Sequence, residues 1–325
     1  HYGTDQLVNL NHRLFKELQA RGIQFSFSTE LLDLDKAPYG WCAKIRSRRG
    51  PREEHFDNVI LAVGKRGARW LHGVGHGIGL RFEAQPVRFG VRVEAPRPGV
   101  AKLLELGLDP KVFLRSGLHK TKLHCFCDGG ELLALDYDGI RVLGGHSLEG
   151  LKTSWTNFGV LTDVFPEDGQ GTATAALELL RPFIERYPGK AVAEPLARFL
   201  ERATSPRDLR HGTLEVNGAV RAGLRPLLGE EVYARLRAFV ERLLVVTGDR
   251  WLARAIVYAP AIEWWYDAVQ LDPATMKTSL QGIYAIGDGA GWSQGIVHAA
   301  ATGVRAADAL LLAQGGSGAA VVPLR

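Results

Sequence analysis

The stretch Gln281-Gly-Ile-Tyr-Ala-Ile-Gly-Asp-Gly-Ala-Gly291 decides the fold, together with the segment Trp292-Ser-Gln-Gly-Ile-Val-His-Ala-Ala-Ala-Thr-Gly-Val-Arg-Ala-Ala-Asp308 that follows it. The pattern predicts a short buried strand, a glycine turn with one acid, and then a helix rich in small residues. This order places the free N–H groups and the positive dipole end of a helix beside a turn that glycine keeps open to close approach. The stretch therefore predicts a site for an electron-rich ligand group, and Asp288 is placed to bond a sugar or sugar-alcohol hydroxyl.

Composition favours a globular α/β protein with more than one lobe. The chain has 325 residues, of which 46% are hydrophobic and 23% charged, so it can bury a large core. Its formal charge of +5 is modest, and its basic residues are densest between Lys44 and Arg52. We interpret this excess as a solvated basic face that also suits a negatively charged cofactor or substrate. A nucleic-acid surface is the minority alternative.

The cysteines and the apolar runs indicate the cellular compartment of the protein. Cys42, Cys125 and Cys127 do not make a disulfide framework, which favours a reducing environment. No apolar run approaches the roughly 20 residues that span a bilayer, and no signal segment is recognisable. The sequence therefore predicts a soluble cytoplasmic protein without a membrane span.

Hydrophobic periodicity predicts the first elements. Thr4 or Asp5 is expected to cap an amphipathic helix over residues 6–19, which Gly22 ends. Four strands are expected to follow it, over residues 23–27, 31–34, 41–45 and 57–63. The last is an apolar run of the kind that is buried on both faces of a sheet. A chain that begins with a helix followed by strands is expected to be part of a fold whose first elements are missing.

The residue pattern changes near Gln85, and the middle of the chain is predicted to be an α+β lobe. Strands are expected over residues 86–95, 123–126, 131–135, 141–143 and 155–164. Helices are expected over residues 172–187, where Pro182 marks a kink, and over 195–202 and 230–244. The tail, residues 314–325, is rich in Gly and Ser and is expected to be loosely ordered.

Four pieces of the chain, in this order, resemble a bacterial family of FAD-dependent dehydrogenases in the glutathione-reductase-like flavoprotein superfamily. They are His1-Tyr-Gly-Thr-Asp-Gln-Leu, Asn58-Val-Ile-Leu-Ala-Val-Gly-Lys-Arg-Gly-Ala-Arg, Phe89-Gly-Val-Arg-Val-Glu-Ala-Pro and the Gly-Asp-Gly-Ala-Gly block, residues 287–291. The segment His124-Cys-Phe-Cys-Asp-Gly-Gly resembles a fifth. The resemblance covers nearly all of residues 1–312.

The resemblance implies an α/β fold in which an inserted lobe divides an FAD-binding lobe of the glutathione-reductase type. Residues 1–83 and 251–313 would form the FAD-binding lobe, residues 84–250 the α+β substrate or cap lobe, and residues 314–325 a flexible tail. The family's first βαβ unit, with Gly-x-Gly-x-x-Gly for the FAD pyrophosphate, is missing from this sequence. The cluster Gly73-Val-Gly-His-Gly-Ile-Gly79 does not match that motif and is expected to be a flexible connector.

The implied activity is that of an FAD-dependent oxidoreductase that passes hydride between a small-molecule substrate and flavin N5. NAD(P)H or another electron carrier would complete the cycle. By resemblance, Asp288 would bond the ribityl chain, while the N–H groups of Gly295, Ile296 and Val297 would face the flavin O2 and N1 edge. Without a ligand, Asp288 would be a helix-capping acid.

The remaining cofactor residues are backbone positions. Gly287, Gly289 and Gly291 shape the turn, and Gly64 and Gly67 would lie near the adenine and pyrophosphate. Lys65 and Arg66 are exposed loop cations on the simpler interpretation and phosphate contacts on the other.

No catalytic residue is selected by the sequence, because flavin N5 itself carries the hydride. His298, His146 and Glu263 are candidates, and His124 is a further proton donor. Trp264, Trp265 and Tyr266 are expected to be an aromatic wall that packs in the core.

Cys125 and Cys127 leave three interpretations open. They are small buried residues that line a pocket, a redox disulfide in a strained ring, or part of a metal site whose spacing matches no common zinc pattern. The sequence predicts no metal.

Two rival functions stay open. One is a flavin-dependent RNA-modifying enzyme, and the other is a non-catalytic remnant that no longer binds FAD. The chain could also be one subunit of an enzyme whose second chain supplies the Gly-x-Gly-x-x-Gly unit.

Overall fold

The computed structural model describes residues 3–137, 140–202, 218–263 and 266–315. The chain divides into two compact units. Unit 1 comprises residues 1–23, 86–167 and 174–264, and unit 2 comprises residues 24–85, 168–173 and 265–325. The first helix therefore groups with unit 1, whereas the sequence assigns it to the first lobe.

The helices of the described residues are α1 (Thr4–Ala20), α2 (Ala68–Ile78), α3 (Arg97–Val100), α4 (Thr172–Arg186), α5 (Leu196–Phe199), α6 (Arg225–Leu228), α7 (Glu230–Thr247) and α8 (Ile296–Ala313). The strands are β1 (Thr29–Lys36), β2 (Trp41–Ser47), β3 (Gly50–Phe56), β4 (Val59–Leu61), β5 (Phe82–Glu83), β6 (Val87–Pro96), β7 (Phe113–Ser116), β8 (His119–Cys127), β9 (Glu131–Tyr137), β10 (Ile140–His146), β11 (Trp155–Val164), β12 (Val192–Pro195), β13 (Val220–Arg221), β14 (Ile256–Glu263), β15 (Ala268–Val269) and β16 (Ile283–Ala285).

A seven-stranded mixed sheet forms the centre of unit 1, in the order β13-β12-β14-β6-β11-β8-β7. The pair β12–β13 is parallel and the other pairs are antiparallel. The alternation expected over residues 86–95 is confirmed, because Val87, Phe89, Val91 and Val93 are fully buried. This apolar face packs against α7 and, through Phe89 and Phe183, against α4. The opposite face of β6 carries Arg88, Arg92 and Glu94.

Unit 2 is built from three small sheets. Strands β1, β2 and β3 form an antiparallel meander, β5 pairs with β15, and β4 pairs with β16 in parallel. The core beneath them contains Leu34, Trp41, Leu61, Leu71 and Ile283. The protein is thus a mixed α/β structure with one large mixed sheet.

Two expectations for the start of the chain are wrong. Residues 23–27 form no strand; the rings of Phe25 and Phe27 stack on each other, and both are exposed. Neither expected cap serves α1: its N-cap is Gly3, and the Asp5 carboxylate accepts hydrogen bonds from the N–H groups of Glu149 and Gly150.

The expected connector over residues 73–79 is mostly helix α2. Gly79 adopts the left-handed conformation and ends the helix, and the Leu80 N–H bonds back to the Gly75 carbonyl, as in a glycine-terminated helix. An added Cβ on Gly75 would lie 2.6 Å from the ring of Phe82. Close packing therefore explains a glycine that helix propensity alone disfavours.

Helix α8 is the most apolar helix for its length. Its 18 residues meet the length and composition of a membrane span, a test that core helices of water-soluble proteins also pass. The helix contains Arg305 and Asp308, so its 18 residues are not one uninterrupted apolar run. The expected tail lies almost wholly outside the described residues, as do Trp264 and Trp265.

Candidate functional site

The parallel pair β4–β16 brings two glycine turns together in unit 2. Ile283 is opposite Val59 and Ala285 opposite Leu61, so both strands end at the same edge. Gly64 follows one strand and the block 287–291 follows the other. A Cβ on Gly289 would overlap with the carbonyl oxygen of Gly64. Only glycine lets the two turns approach this closely.

Three further glycines, two in the block and one just after it, have positive φ angles. Gly287 has φ of 75°, Gly291 of 83° and Gly295 of 84°. A Cβ on Gly291 would also lie 2.7 Å from Cα of Ala268, whereas nothing lies within 4 Å of the Cβ position on Gly295. Gly291 is thus explained by packing as well as conformation. At Gly295 a side chain would point into open space.

Asp288 holds the loop that leads into α8. Its Oδ1 accepts a 2.6 Å hydrogen bond from the Ser293 hydroxyl, and its Oδ2 accepts one of 3.3 Å from the Gly295 N–H. The Gly287 N–H donates to Thr302 Oγ1 at 3.0 Å, which ties the turn to the helix. Asp288 therefore fixes the loop before α8 but does not cap the helix, because it bonds the N–H of the N-cap residue Gly295 and α8 has no side-chain cap.

The first turn of α8 is open. The first intrahelical bond runs from the Ala299 N–H to the Gly295 carbonyl, so the N–H groups of Ile296, Val297 and His298 have no acceptor within the helix. The side chains of Ile296 and Val297 are 60% and 73% exposed. The exposed imidazole of His298 lies 3.0 Å from the Gln294 carbonyl oxygen through its Nδ1.

The turn after β4 has the conformation that a close approach requires. Gly64 has φ of 64° with free space at its Cβ position, and its carbonyl accepts from the Gly67 N–H. A Cβ on Gly67 would press on the Val63 side chain. Lys65 and Arg66 are exposed.

A second polar site lies on the charged face of the unit 1 sheet. Glu263 has a side chain only 2% exposed, with Lys122 Nζ at 2.7 Å, His124 Nδ1 at 3.3 Å and Arg88 Nη1 at 3.6 Å. Arg88 also reaches Asp163 at 3.2 Å. Strand register explains the grouping, because Arg88 pairs with both Asp163 and Glu263 across the sheet. We call these five residues the Glu263 cluster.

Burial and charge oppose each other within this cluster. Burial alone would raise the pKa of Glu263, but His124, Lys122 and Arg88 together lower it below its ordinary value. Burial lowers the pKa of Lys122 more than Glu263 raises it. The carboxylate is therefore held as an anion among positive groups.

Arg92 organises a third polar group beside the cluster. Its Nε donates to Asn157 Oδ1 at 3.1 Å, and its Nη2 donates to the Cys125 carbonyl at 3.0 Å. The same Nη2 lies 3.7 Å from Cys127 Sγ, and the two cysteine sulfurs are 3.7 Å apart. Neither Arg92 nor Asn157 stands out in the sequence as a functional residue. The one available signal is the presence of Arg92 in an apolar strand.

The other candidates are distributed over both units. His124 and Glu263 meet in the Glu263 cluster, whereas His298 begins α8. His146 ends β10, and its buried Nδ1 has no hydrogen-bond partner among the residues that the structure describes. Tyr266 packs near His72, with ring centroids 5.9 Å apart. Within the described ranges, no three His, Cys, Asp or Glu side chains form a metal-binding group.

Comparison with known proteins gives a faint likeness. No family model matches this chain, and neither does any curated protein. Among the 14 matching chains of solved structures is aklavinone-11 hydroxylase in complex with FAD and aklavinone, at 14% identity and a TM-score of 0.36, with 94% of this chain and 40% of that one covered. Another is a flavoprotein/dehydrogenase from Cytophaga hutchinsonii, at 11% identity and a TM-score of 0.35, with 95% of this chain and 55% of that one covered. This chain thus spans about half, or less, of their length. TM-scores this low do not establish a shared fold.

Proposed function

We propose that this chain carries the flavin end of an FAD site in an oxidoreductase of the glutathione-reductase type. The observation that carries the proposal is the open first turn of α8, which follows Gly295 at φ of 84° with free space beside it. Among the described residues nothing lies within 4 Å of the Cβ position on Gly295, and the N–H groups of Ile296 and Val297 have no acceptor within the helix. A ring edge with oxygen and nitrogen acceptors fits such a helix end.

The fit to FAD rests on three features of the turn. The N–H groups of Ile296 and Val297 would bond the acceptor edge of the ring, and the helix dipole would stabilise negative charge there. Asp288 has two bonds already, and a carboxylate can accept about four, so it retains capacity for a ribityl hydroxyl. Bound FAD would supply the hydride-accepting atom. The protein would supply orientation and charge.

Substrate recognition is proposed to belong to unit 1. The Glu263 cluster offers a buried carboxylate and the nearby His124 imidazole, with Lys122 and Arg88 as positive groups. Such a face suits a small polar or anionic substrate. His298 and His146 stay further candidates for proton transfer. NAD(P)H as the electron partner and a cytoplasmic location stay predictions.

The pyrophosphate-binding half of the site is proposed to come from another polypeptide segment. The sequence has no strand-linked Gly-x-Gly-x-x-Gly, and within the described residues β4–β16 is a parallel sheet of two strands. An open groove of about 340 Å³ beside β4, lined by Leu31, Ile45, Phe56 and Val59, exposes apolar surface. A βαβ unit on a second chain would extend the sheet.

FAD titration of the purified chain tests the proposal. Gly295→Ala should weaken FAD binding about tenfold or more, because its methyl group enters the proposed ring position. Gly248→Ala is the matched control: Gly248 has φ of 81° and ψ of 168°, against 84° and 162° at Gly295, and it also has free space at its Cβ position. The two variants place a side chain at closely similar backbone angles, so only Gly295→Ala should lose the visible flavin absorbance.

The alternatives give different outcomes. A chain that stays colourless with excess FAD would contradict the proposal for this chain and favour the non-catalytic remnant. RNA binding that falls steeply as salt rises would favour the RNA-modifying enzyme. Equal loss of FAD in both glycine variants would show that α8 does not contact the ring.

A further inference from the structure

Cys125 lies in a β-bulge that sets its thiol against that of Cys127. The pairing of β8 with β11 shifts between Asn157 and Gly159, so two residues of β8 face one residue of β11, as in a bulge. Cys125 has φ of 47°, which is rare outside glycine and stores about 1 kcal/mol or more of strain. Strain of this kind persists where the surrounding structure enforces it.

The surroundings favour a thiolate at Cys125. Its pKa is lowered by the hydrogen bond from Cys127 and by the positive charge of Arg92, against burial and the negative charge of Asp109. The pKa of Cys127 is raised by the shared hydrogen bond and by burial. As a residue, Cys125 is half-buried, whereas Cys127 is buried. One sulfur is thus the nucleophile, and the other keeps its proton.

A metal ion fits this pair poorly. The Arg92 guanidinium lies 3.7 Å from Cys127 Sγ and would repel a cation at that place. No third ligand of a metal-binding group is present in the described parts of the chain. The same positive charge stabilises a thiolate.

From this geometry we propose that Cys125 and Cys127 form a redox-active dithiol that hydroperoxides oxidise to an intramolecular disulfide. The Cys125 thiolate attacks the terminal peroxide oxygen, the O–O bond breaks, and the product is a sulfenic acid at Cys125 and an alcohol, or water from hydrogen peroxide. The Cys127 thiol then attacks the sulfenic sulfur, forms the S–S bond and releases water. The pair loses two electrons and two protons, and the peroxide gains them.

The bulge removes the main objection, which is the small ring that a Cys-x-Cys disulfide closes. The sulfurs must approach from 3.7 Å to about 2.05 Å. In the bulge, the Phe126 N–H bonds to Asp109 Oδ1 instead of a neighbouring strand. The Phe126 N–H therefore takes no part in the β8–β11 ladder, and movement of the segment at that residue breaks no ladder hydrogen bond.

Cys42 provides an internal control for reactivity. It lies in unit 2 beside Glu53, and burial and that carboxylate raise its pKa. At pH 7 iodoacetamide should therefore alkylate Cys125 about tenfold or more faster than Cys42, because the thiolate is the reacting species.

Oxidation of the full chain tests the proposal. The reduced protein is treated with a small molar excess of hydrogen peroxide, denatured, alkylated with N-ethylmaleimide and weighed by mass spectrometry. We expect loss of two hydrogens, one remaining alkylation at Cys42, and full reversal by dithiothreitol. Cys127→Ser should stop at a sulfenic acid on Cys125 that dimedone traps, and Cys125→Ser should leave Cys127 reduced.

Two results would overturn the proposal. One is three alkylated thiols in the wild-type chain after a peroxide dose that oxidises the Cys127→Ser variant. The other is alkylation of Cys125 no faster than that of Cys42. Both readouts are independent of flavin, so they also stand if the chain does not bind FAD.

Discussion

Replacing Glu263 by glutamine should destabilise unit 1 by about 3 kcal/mol. The substitution keeps the shape of the side chain but leaves Lys122 and Arg88 without the buried carboxylate. At the 2.7 Å and 3.6 Å separations of these groups, the gross attractions are about 6 and 5 kcal/mol at an effective dielectric constant of 20. Desolvation offsets much of this, and removal of one partner from a buried pair costs about 3–5 kcal/mol. Glutamine retains an acceptor oxygen, which favours the lower end.

The assay must isolate unit 1, because two units need not unfold together. Amide hydrogen exchange in peptides of β6 and β14, measured across a urea series, reports the free energy of opening of that sheet. Glu17→Gln is the control in the same unit. It removes a 2.8 Å ion pair with Arg21 in which both side chains are more than half exposed, and it should cost about 0.5 kcal/mol or less.

The effect has a defined pH dependence. Since the folded pKa of Glu263 lies below the ordinary 4.5, its contribution is fully present above that value and is lost as pH falls through the folded pKa. The difference between wild type and Glu263→Gln should therefore shrink only in acid. A cost below about 1 kcal/mol near neutral pH, equal to the control, would refute the argument that the cluster is desolvated.

Two further predictions concern unit 2. Gly289→Ala should destabilise unit 2 by about 2 kcal/mol or more, because the added methyl group overlaps with the Gly64 carbonyl. Gly73→Ala, in open space on α2, should stabilise the unit by about 0.5–1 kcal/mol. Urea unfolding compares the two variants, and equal effects would contradict the close approach of the turns. Asp267→Asn should cost roughly 1–2 kcal/mol, because the His72 imidazole, whose Nε2 lies 3.1 Å from Asp267 Oδ2, lowers the Asp267 pKa from 3.8 to about 2. That contribution should disappear as pH falls from 3.8 towards 2, and a cost that persists at acid pH would show that charge is not its origin.

Periodicity predicts the elements that have a strong one-sided pattern. Residues 155–164 match β11, and the helix expected over residues 230–244 lies within α7, with Val232, Leu236 and Phe239 buried as expected. Such elements are predictable because a single buried face fixes their phase. Residues 23–27 alternate equally well, but no strand pairs with them, and pairing is a tertiary property.

The polar groups of unit 1 are less accessible to sequence reasoning. Glu263 and His124 are candidates in the sequence, but Lys122, Arg88 and Asp163 join them only through strand register. The sequence predicts the Gly-rich turn and leaves two interpretations of Asp288, a cofactor contact and a helix-capping acid. Its bonds to Ser293 and Gly295 follow from the path of the loop, which local propensity does not determine.

The parallel pairing of Val59–Leu61 with Ile283–Ala285 also sets an order of events during folding. These strands are separated by more than two hundred residues of chain. The loss of entropy on closing such a loop opposes their pairing until the contacts between them form. Most of unit 1 lies within that loop. During synthesis the glycine turns can meet only after residues 283–291 have emerged, so ligand binding at α8 would report that this long-range pairing has formed.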